Sequence, residues 1–208
     1  MTELRMRIHP GRLRTRLLLL LAFTLGLARE AGAQPLAPVV GEPVPYSIGV
    51  PEGWSTDLEG DVLSLEDPDE ETVIMVSAFD LVAAQTRPAS MSEAEARRIL
   101  TERVMASDSL LLDMLQGNAA RATRYPLIDM TLEIGTLGGE KAGWMWAHSR
   151  IAGEAGWIRT CLTVVDGILY TLVFMGMGEH EPEQESLVAR VRDSFVPADM
   201  PEEPGSRR

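Results

Sequence analysis

Two apolar patterns dominate the chain and predict different kinds of strand. From Thr72 to Phe79 nearly every position is apolar (Val73, Ile74, Met75, Val76, Ala78, Phe79), the pattern of a central strand covered on both faces. At 128–134, Ile128, Met130, Leu132 and Ile134 alternate with Asp129, Thr131 and Glu133, which predicts a half-buried strand running into the Gly138-Gly139 turn. Ala142 to Ile151 is expected to return antiparallel to it. Trp157–Val165 and Ile168–Met175 flank Asp166-Gly167, a dipeptide suited to a type I′ hairpin because both central residues need positive φ. That two-residue loop sets Val165 opposite Ile168, Thr163 opposite Tyr170 and Cys161 opposite Leu172. Short strands are predicted at Tyr46–Val50 and Val62–Leu65, the first closed by Pro51-Glu52-Gly53.

Helical spacing occurs twice. Ser90 with Glu93, or Ser92 with Glu95, forms a capping box ahead of Ala96, Ile99, Leu100 and Val104, with Arg97, Arg98, Glu102 and Arg103 on the exposed face. Its end lies between Ser107 and Gly117-Asn118. The second helix, from about Glu183 to Phe195, aligns Leu187, Val188, Val191 and Phe195 in one stripe. Because the Ile168–Met175 strand is apolar on both sides, each sheet face needs a cover. The expected fold class is α+β, a three-layer α/β/α sandwich with a largely antiparallel sheet.

The first 33 residues read as an export signal. Arg5, Arg7, Arg12, Arg14 and Arg16 precede an uncharged apolar run from Leu17 to Ala28, and Ala31-Gly32-Ala33 offers small residues before Gln34. The run is shorter than the roughly 20 residues that span a bilayer, so no stable membrane insertion is expected after cleavage. The chain then divides into a signal peptide (1–33), a Pro-rich extended leader (34–44), one domain (45–197) and a flexible tail (198–208). The expected location is periplasmic or extracellular.

Charge narrows the partners. Without residues 1–33 the chain keeps 13 basic and 29 acidic residues, a net charge of −16. Nucleic acid and anionic lipid are disfavoured, since binding them relies on clustered Lys and Arg. Cys161 is alone, so no intramolecular disulfide is possible, and it reads as a small buried hydrophobe in an exported monomer, with an intermolecular disulfide as the alternative.

Candidate chemistry is sparse. Met175, Met177 and His180 form a Met-x-Met-x-x-His array whose thioether and imidazole donors suit copper(I), against the simpler reading of Met175 and Met177 as core. Glu179, His180, Glu181, Glu183 and Glu185 gather before and inside the last helix, where carboxylates favour the helix dipole and could also attract a hard cation. Glu66–Glu71 lacks the ligand spacing and central Gly of a calcium loop and reads as a solvated turn. His148-Ser149 lies in no Gly-x-Ser-x-Gly elbow, so a nucleophile with an oriented base does not emerge. Trp144 and Trp146 share one strand face with Trp157 nearby, as core or as an aromatic binding surface. No cofactor is expected.

The segments Tyr46-Ser47-Ile48-Gly49-Val50-Pro51-Glu52-Gly53-Trp54 and Val191-Arg192-Asp193-Ser194-Phe195, with the order of elements between them, resemble the PsbP-like family. These are exported α/β/α domains that include thylakoid-lumen photosystem subunits and bacterial periplasmic proteins. The resemblance covers about residues 44–197. It implies a non-enzymatic domain acting through contact with an envelope protein, and no functional residue is carried over from it. The rival expectations are a periplasmic carrier or sensor for a metal or small ligand and, more distantly, a hydrolase.

Overall fold

Asp166 and Gly167 adopt φ of 48° and 72°, the left-handed pair that a two-residue hairpin between twisted strands demands. In the computed structural model, which describes residues 36–40, 46–69, 71–84, 90–122, 125–151, 153–180 and 182–197, this hairpin is the centre of the sheet. Strands β8 (Glu154–Val165) and β9 (Ile168–Met177) pair with Val165 opposite Ile168, Thr163 opposite Tyr170 and Cys161 opposite Leu172, the register the turn predicts. The signal-peptide reading of 1–33 and the tail 198–208 lie outside the described residues.

Around the hairpin the sheet grows in both directions. β3 (Ser55–Glu59), β4 (Val62–Glu66) and β5 (Thr72–Asp80) join on the β9 side, while β7 (Glu140–Ile151) and β6 (Leu127–Leu137) join on the β8 side. The seven strands run in the order β3-β4-β5-β9-β8-β7-β6 with every neighbour antiparallel. A second sheet has three strands, β1 (Leu36–Val40), β2 (Tyr46–Pro51) and β10 (Val196–Pro197), with β2 in the middle.

The two faces of the large sheet are covered differently. Helices α1 (Glu93–Met105) and α2 (Asp108–Ala122) supply Val104, Leu111, Leu115 and Ala119 to one cluster with Met145, Ile158, Leu162, Val173 and Met175. On the other face α3 (Pro182–Ser194) contributes Val188 and Val191, and Phe195 follows it. These side chains meet Tyr46, Ile48 and Val50 of the small sheet over Trp144, Cys161, Tyr170, Leu172 and Phe174. Each fully buried Leu or Phe side chain contributes roughly 2 kcal/mol of apolar burial. The sandwich thus has three layers and a largely antiparallel sheet, with a small sheet sharing the outer layer with α3.

Several sequence expectations need correction. The Pro-rich stretch is not merely an extended leader: Leu36–Val40 is a strand paired with β2, with Pro38 opposite Gly49. Proline is compatible there because an edge strand leaves one side of its backbone free of a ladder. β3 escapes a pattern reading because all five of its residues are exposed. β5 is interior, but only one of its faces is fully buried; Val73 and Met75 are half-buried and Phe79 is 51% exposed. The segment after Ser90 is two helices, broken at Ala106–Ser107. Ser92 caps the first by accepting the Glu95 N–H at 3.1 Å, and Ser107 Oγ accepts the Leu110 N–H at the second.

In two places side chains sit where periodicity did not put them. Arg97, expected on the exposed face of α1, is buried; it donates to Asp80 at 2.6 Å, to Glu93 at 2.8 Å and to the Asp166 carbonyl at 3.1 Å. The β6 stripe is split because the β6–β7 register shifts between Ile128 and Thr131, where Asp129 has φ 53°. Across this bulge Ile128 falls on the α3 face while Leu132 and Ile134 fall on the other, and Ile128, Met130 and Ile134 are exposed on the edge strand instead of half-buried.

Candidate functional site

The alternation of β7 and β8 brings an aromatic and charged group together against α3 and the connection that precedes it. His148 is opposite Trp157, Trp146 opposite Arg159 and Trp144 opposite Cys161, so these residues share the α3 face of the sheet. Trp157 is fully buried, and a Cβ at Gly176 would lie 2.3 Å from its ring. Only a residue without a side chain leaves the indole that seat. Trp144 is seated likewise over Gly135, with a Cβ there coming within 2.8 Å.

His180, in the short connection from β9 to α3, closes the group. Its ring stands edge-on to Trp146 at 4.5 Å and to Trp157 at 4.6 Å between centroids, and the two indoles are parallel within 8° at 6.0 Å. His180 Nε2 meets Glu185 Oε2 at 2.9 Å. Glu185 also pairs with Arg159, whose guanidinium lies 5.2 Å from the Trp144 ring and 5.9 Å from the Trp146 ring. Arg192 approaches Trp144 at 5.8 Å. Burial pushes the Glu185 carboxyl up, but the hydrogen bonds from Arg159 and His180 outweigh it, holding the group below the ordinary carboxylate range.

The group forms a patch on the α3 face of the sheet. Trp146 is half-buried, braced by Trp157 and His180 behind it. Beside it His148 is exposed, its ring 6.0 Å from that of Trp146. Ile128, 42% exposed, is directly opposite His148, and Thr131 is opposite Trp146. Trp144, by contrast, is only 4% exposed and donates its Nε1–H to the Thr136 carbonyl. Of the two tryptophans singled out by the sequence, Trp146 keeps exposed area and Trp144 does not.

The Met-x-Met-x-x-His donors are not brought together. Met175 and Met177 pack with the α1/α2-side cluster, whereas His180 lies with Trp146 and Trp157 on the opposite side of the sheet. Among the described residues no three His, Cys, Asp or Glu side chains are placed to hold a metal ion. Of the acidic group before α3, Glu179 and Glu183 are exposed, Glu185 is engaged as described, and Glu181 lies outside the described residues. In the acidic turn Asp67 accepts the N–H groups of Glu71 and Thr72 at 2.8 and 3.0 Å, a structural use of the carboxylate.

His148 and Ser149 point to opposite faces of β7, and Ser149 Oγ donates to the Pro126 carbonyl at 2.9 Å. Cys161 is fully buried, and desolvation pushes its thiol well above the ordinary range, so it is not a nucleophile in the folded state. Sequence reasoning missed Arg159, its pairing with Glu185 and the packing role of His180. One signal was available: the hairpin register places Trp157 opposite Gly176, a large ring across from a residue that makes room for it.

No protein-family model matches the chain, and no curated protein matches it in sequence. Solved structures do resemble it. A Bacteroides thetaiotaomicron protein matches at 11% identity with a TM-score of 0.48; the match covers 76% of this chain and 46% of that one, so this chain spans about half its length. Cyanobacterial PsbP from Synechocystis matches at 16% identity and TM-score 0.48, covering 84% of this chain and 99% of that one. LpqN of Mycobacterium tuberculosis, described as involved in cell envelope biogenesis, matches at 14% identity and TM-score 0.44 over 77% and 88% of the two chains. PsbP is the family that the motifs at 46–54 and 191–195 resemble.

Proposed function

We propose that this chain is an exported, non-enzymatic domain that works by contacting another envelope protein through the surface formed by Trp146, His148 and Ile128. The observation that carries the reading is Trp146 itself. A half-buried indole held rigid by a parallel indole and an edge-on imidazole loses little freedom when covered, which is what makes tryptophan an effective centre of a protein interface. Export rests on the arginine-rich, apolar and small-residue pattern of residues 1–33. Among the described residues no helix is long and apolar enough to cross a membrane.

The contact reading is favoured over a hydrolase because His148 and Ser149 point to opposite faces of β7 and Cys161 is fully buried. A copper-carrier reading would need Met175, Met177 and His180 on one side of the sheet, and they are not. The test uses surface changes that spare the core. His148→Glu and Ile128→Glu should each abolish co-purification of a stoichiometric protein partner from the envelope fraction while leaving the thermal midpoint unchanged. Retention of the same partner by both variants would refute the assignment of this surface.

A further inference from the structure

β6 is the last strand of the seven-stranded sheet, and its outer edge pairs with no strand among the described residues. It is 11 residues long, against five for β3 at the other edge. From Thr131 to Leu137 it keeps an unbroken register with β7, and the bulge at Asp129 interrupts only its beginning. Three of the large apolar side chains exposed by more than a third, Ile128, Met130 and Ile134, lie on this one strand. Its charges are all negative: Asp129 and Glu133 are exposed, and β6 contains no Lys or Arg.

We propose that Thr131–Leu137 of β6 is a strand-addition site for an extended, basic segment of a partner protein, whose backbone continues the large sheet. Apart from the Thr136 carbonyl, which accepts the Trp144 indole N–H, such an edge offers alternate N–H and C=O groups to an incoming backbone. Seven residues of strand extend about 24 Å, enough for several such hydrogen bonds. Because Thr131 is opposite Trp146 and Glu133 opposite Trp144, an added strand would lie beside the Trp146 surface and extend the same interface. A basic sequence fits for an electrostatic reason: Lys or Arg opposite Glu133 is favourable, and like charges opposite each other are not. The same reasoning disfavours a second copy as the occupant. Two such edges would bring acidic residues together on chains that each carry a net charge of −16 without residues 1–33.

This inference rests on the protein-contact reading and can fail separately from it. Amide hydrogen exchange of the purified protein is followed with a Lys-Val-Lys-Val-Lys-Val-Lys peptide and with a control of equal charge whose central Val is Pro. The first peptide should slow exchange at residues 131–137 about tenfold, the proline control should not, and Asp129→Lys combined with Glu133→Lys should weaken binding about tenfold. Equal effects of both peptides would mean charge attraction without strand pairing and would overturn the proposal. So would no protection at 131–137, or protection already present in the free protein from its own chain or a second copy. A partner lost on His148→Glu, with no peptide-induced protection of β6, would leave the contact surface standing and remove strand addition.

Discussion

The backbone N–H of Gly49 donates to Ser194 Oγ at 2.8 Å, and that hydroxyl donates to the Val191 carbonyl at 2.6 Å. One side chain therefore joins the two segments that carry the family resemblance, near opposite ends of the domain. Tyr46 and Phe195 add a ring contact at 5.9 Å a few residues away. Ser194→Ala leaves the Gly49 N–H without its acceptor and should destabilise the fold by about 1–2 kcal/mol. Urea denaturation measures this; an unchanged midpoint would show that the small sheet is held to α3 by packing alone.

Arg97 performs a similar task on the other face. It ties the start of α1 to the end of β5 through Asp80 and to the central hairpin through the Asp166 carbonyl. Arg97→Ala should cost about 2–4 kcal/mol, because it strips a buried group of its role and leaves Asp80 without its cation. Arg97→Lys should recover only part, since a single ammonium cannot reach three separate acceptors with the fixed fork of a guanidinium. Full recovery by Lys would mean that charge matters and geometry does not.

Acid should weaken the fold in a defined window. At Asp80 burial pushes the pKa up, but the N–H groups of Ala83 and Val82 and the Arg97 guanidinium outweigh it and hold it down. Glu185 is depressed likewise, though its greater exposure reduces its share. A depressed folded-state pKa gives stability that is complete above the unfolded value of about 4 and disappears as pH falls through the lower folded value. The urea midpoint should therefore be flat above about pH 5 and fall below it. Asp80→Asn should flatten that fall; an unaltered slope would place the acid sensitivity elsewhere.

Gly176→Ala tests the seat of the aromatic group. The added Cβ would fall 2.3 Å from the Trp157 ring, so the indole must move, and with it Trp146 and His180. A loss of about 3 kcal/mol is expected, with a red shift in tryptophan emission as Trp157 gains water. Gly139→Ala, where nothing lies within 4 Å of the new Cβ but φ is +85°, should cost about 1 kcal/mol and leave the emission unchanged.

Local chemistry made much of this fold legible. The Asp166-Gly167 dipeptide determines the hairpin and its register, and the Leu187, Val188, Val191, Phe195 stripe identifies the buried side of α3. What periodicity could not reveal depends on contacts distant in sequence. Arg97 looks like a solvated helix residue until Asp80 and the Asp166 carbonyl are brought beside it. The β6 stripe looks half-buried because alternation does not register an inserted residue at Asp129. β3 shows no pattern, since a fully exposed edge strand needs none. The site was legible as tryptophans on one strand. That Trp144 is buried, that Trp146 stays partly exposed, and that His180 serves aromatic packing beside them follows only from the meeting of β7, β8 and the β9–α3 connection.

The most direct test of the contact surface is photo-crosslinking in the producing cell, with a photoreactive amino acid placed at His148 or, as a control, at Leu58, which is 52% exposed on the far edge of the sheet. One discrete protein adduct is expected from position 148 and none from position 58. Equal adducts from both positions, or none from position 148 with the protein folded and exported, would contradict the contact reading.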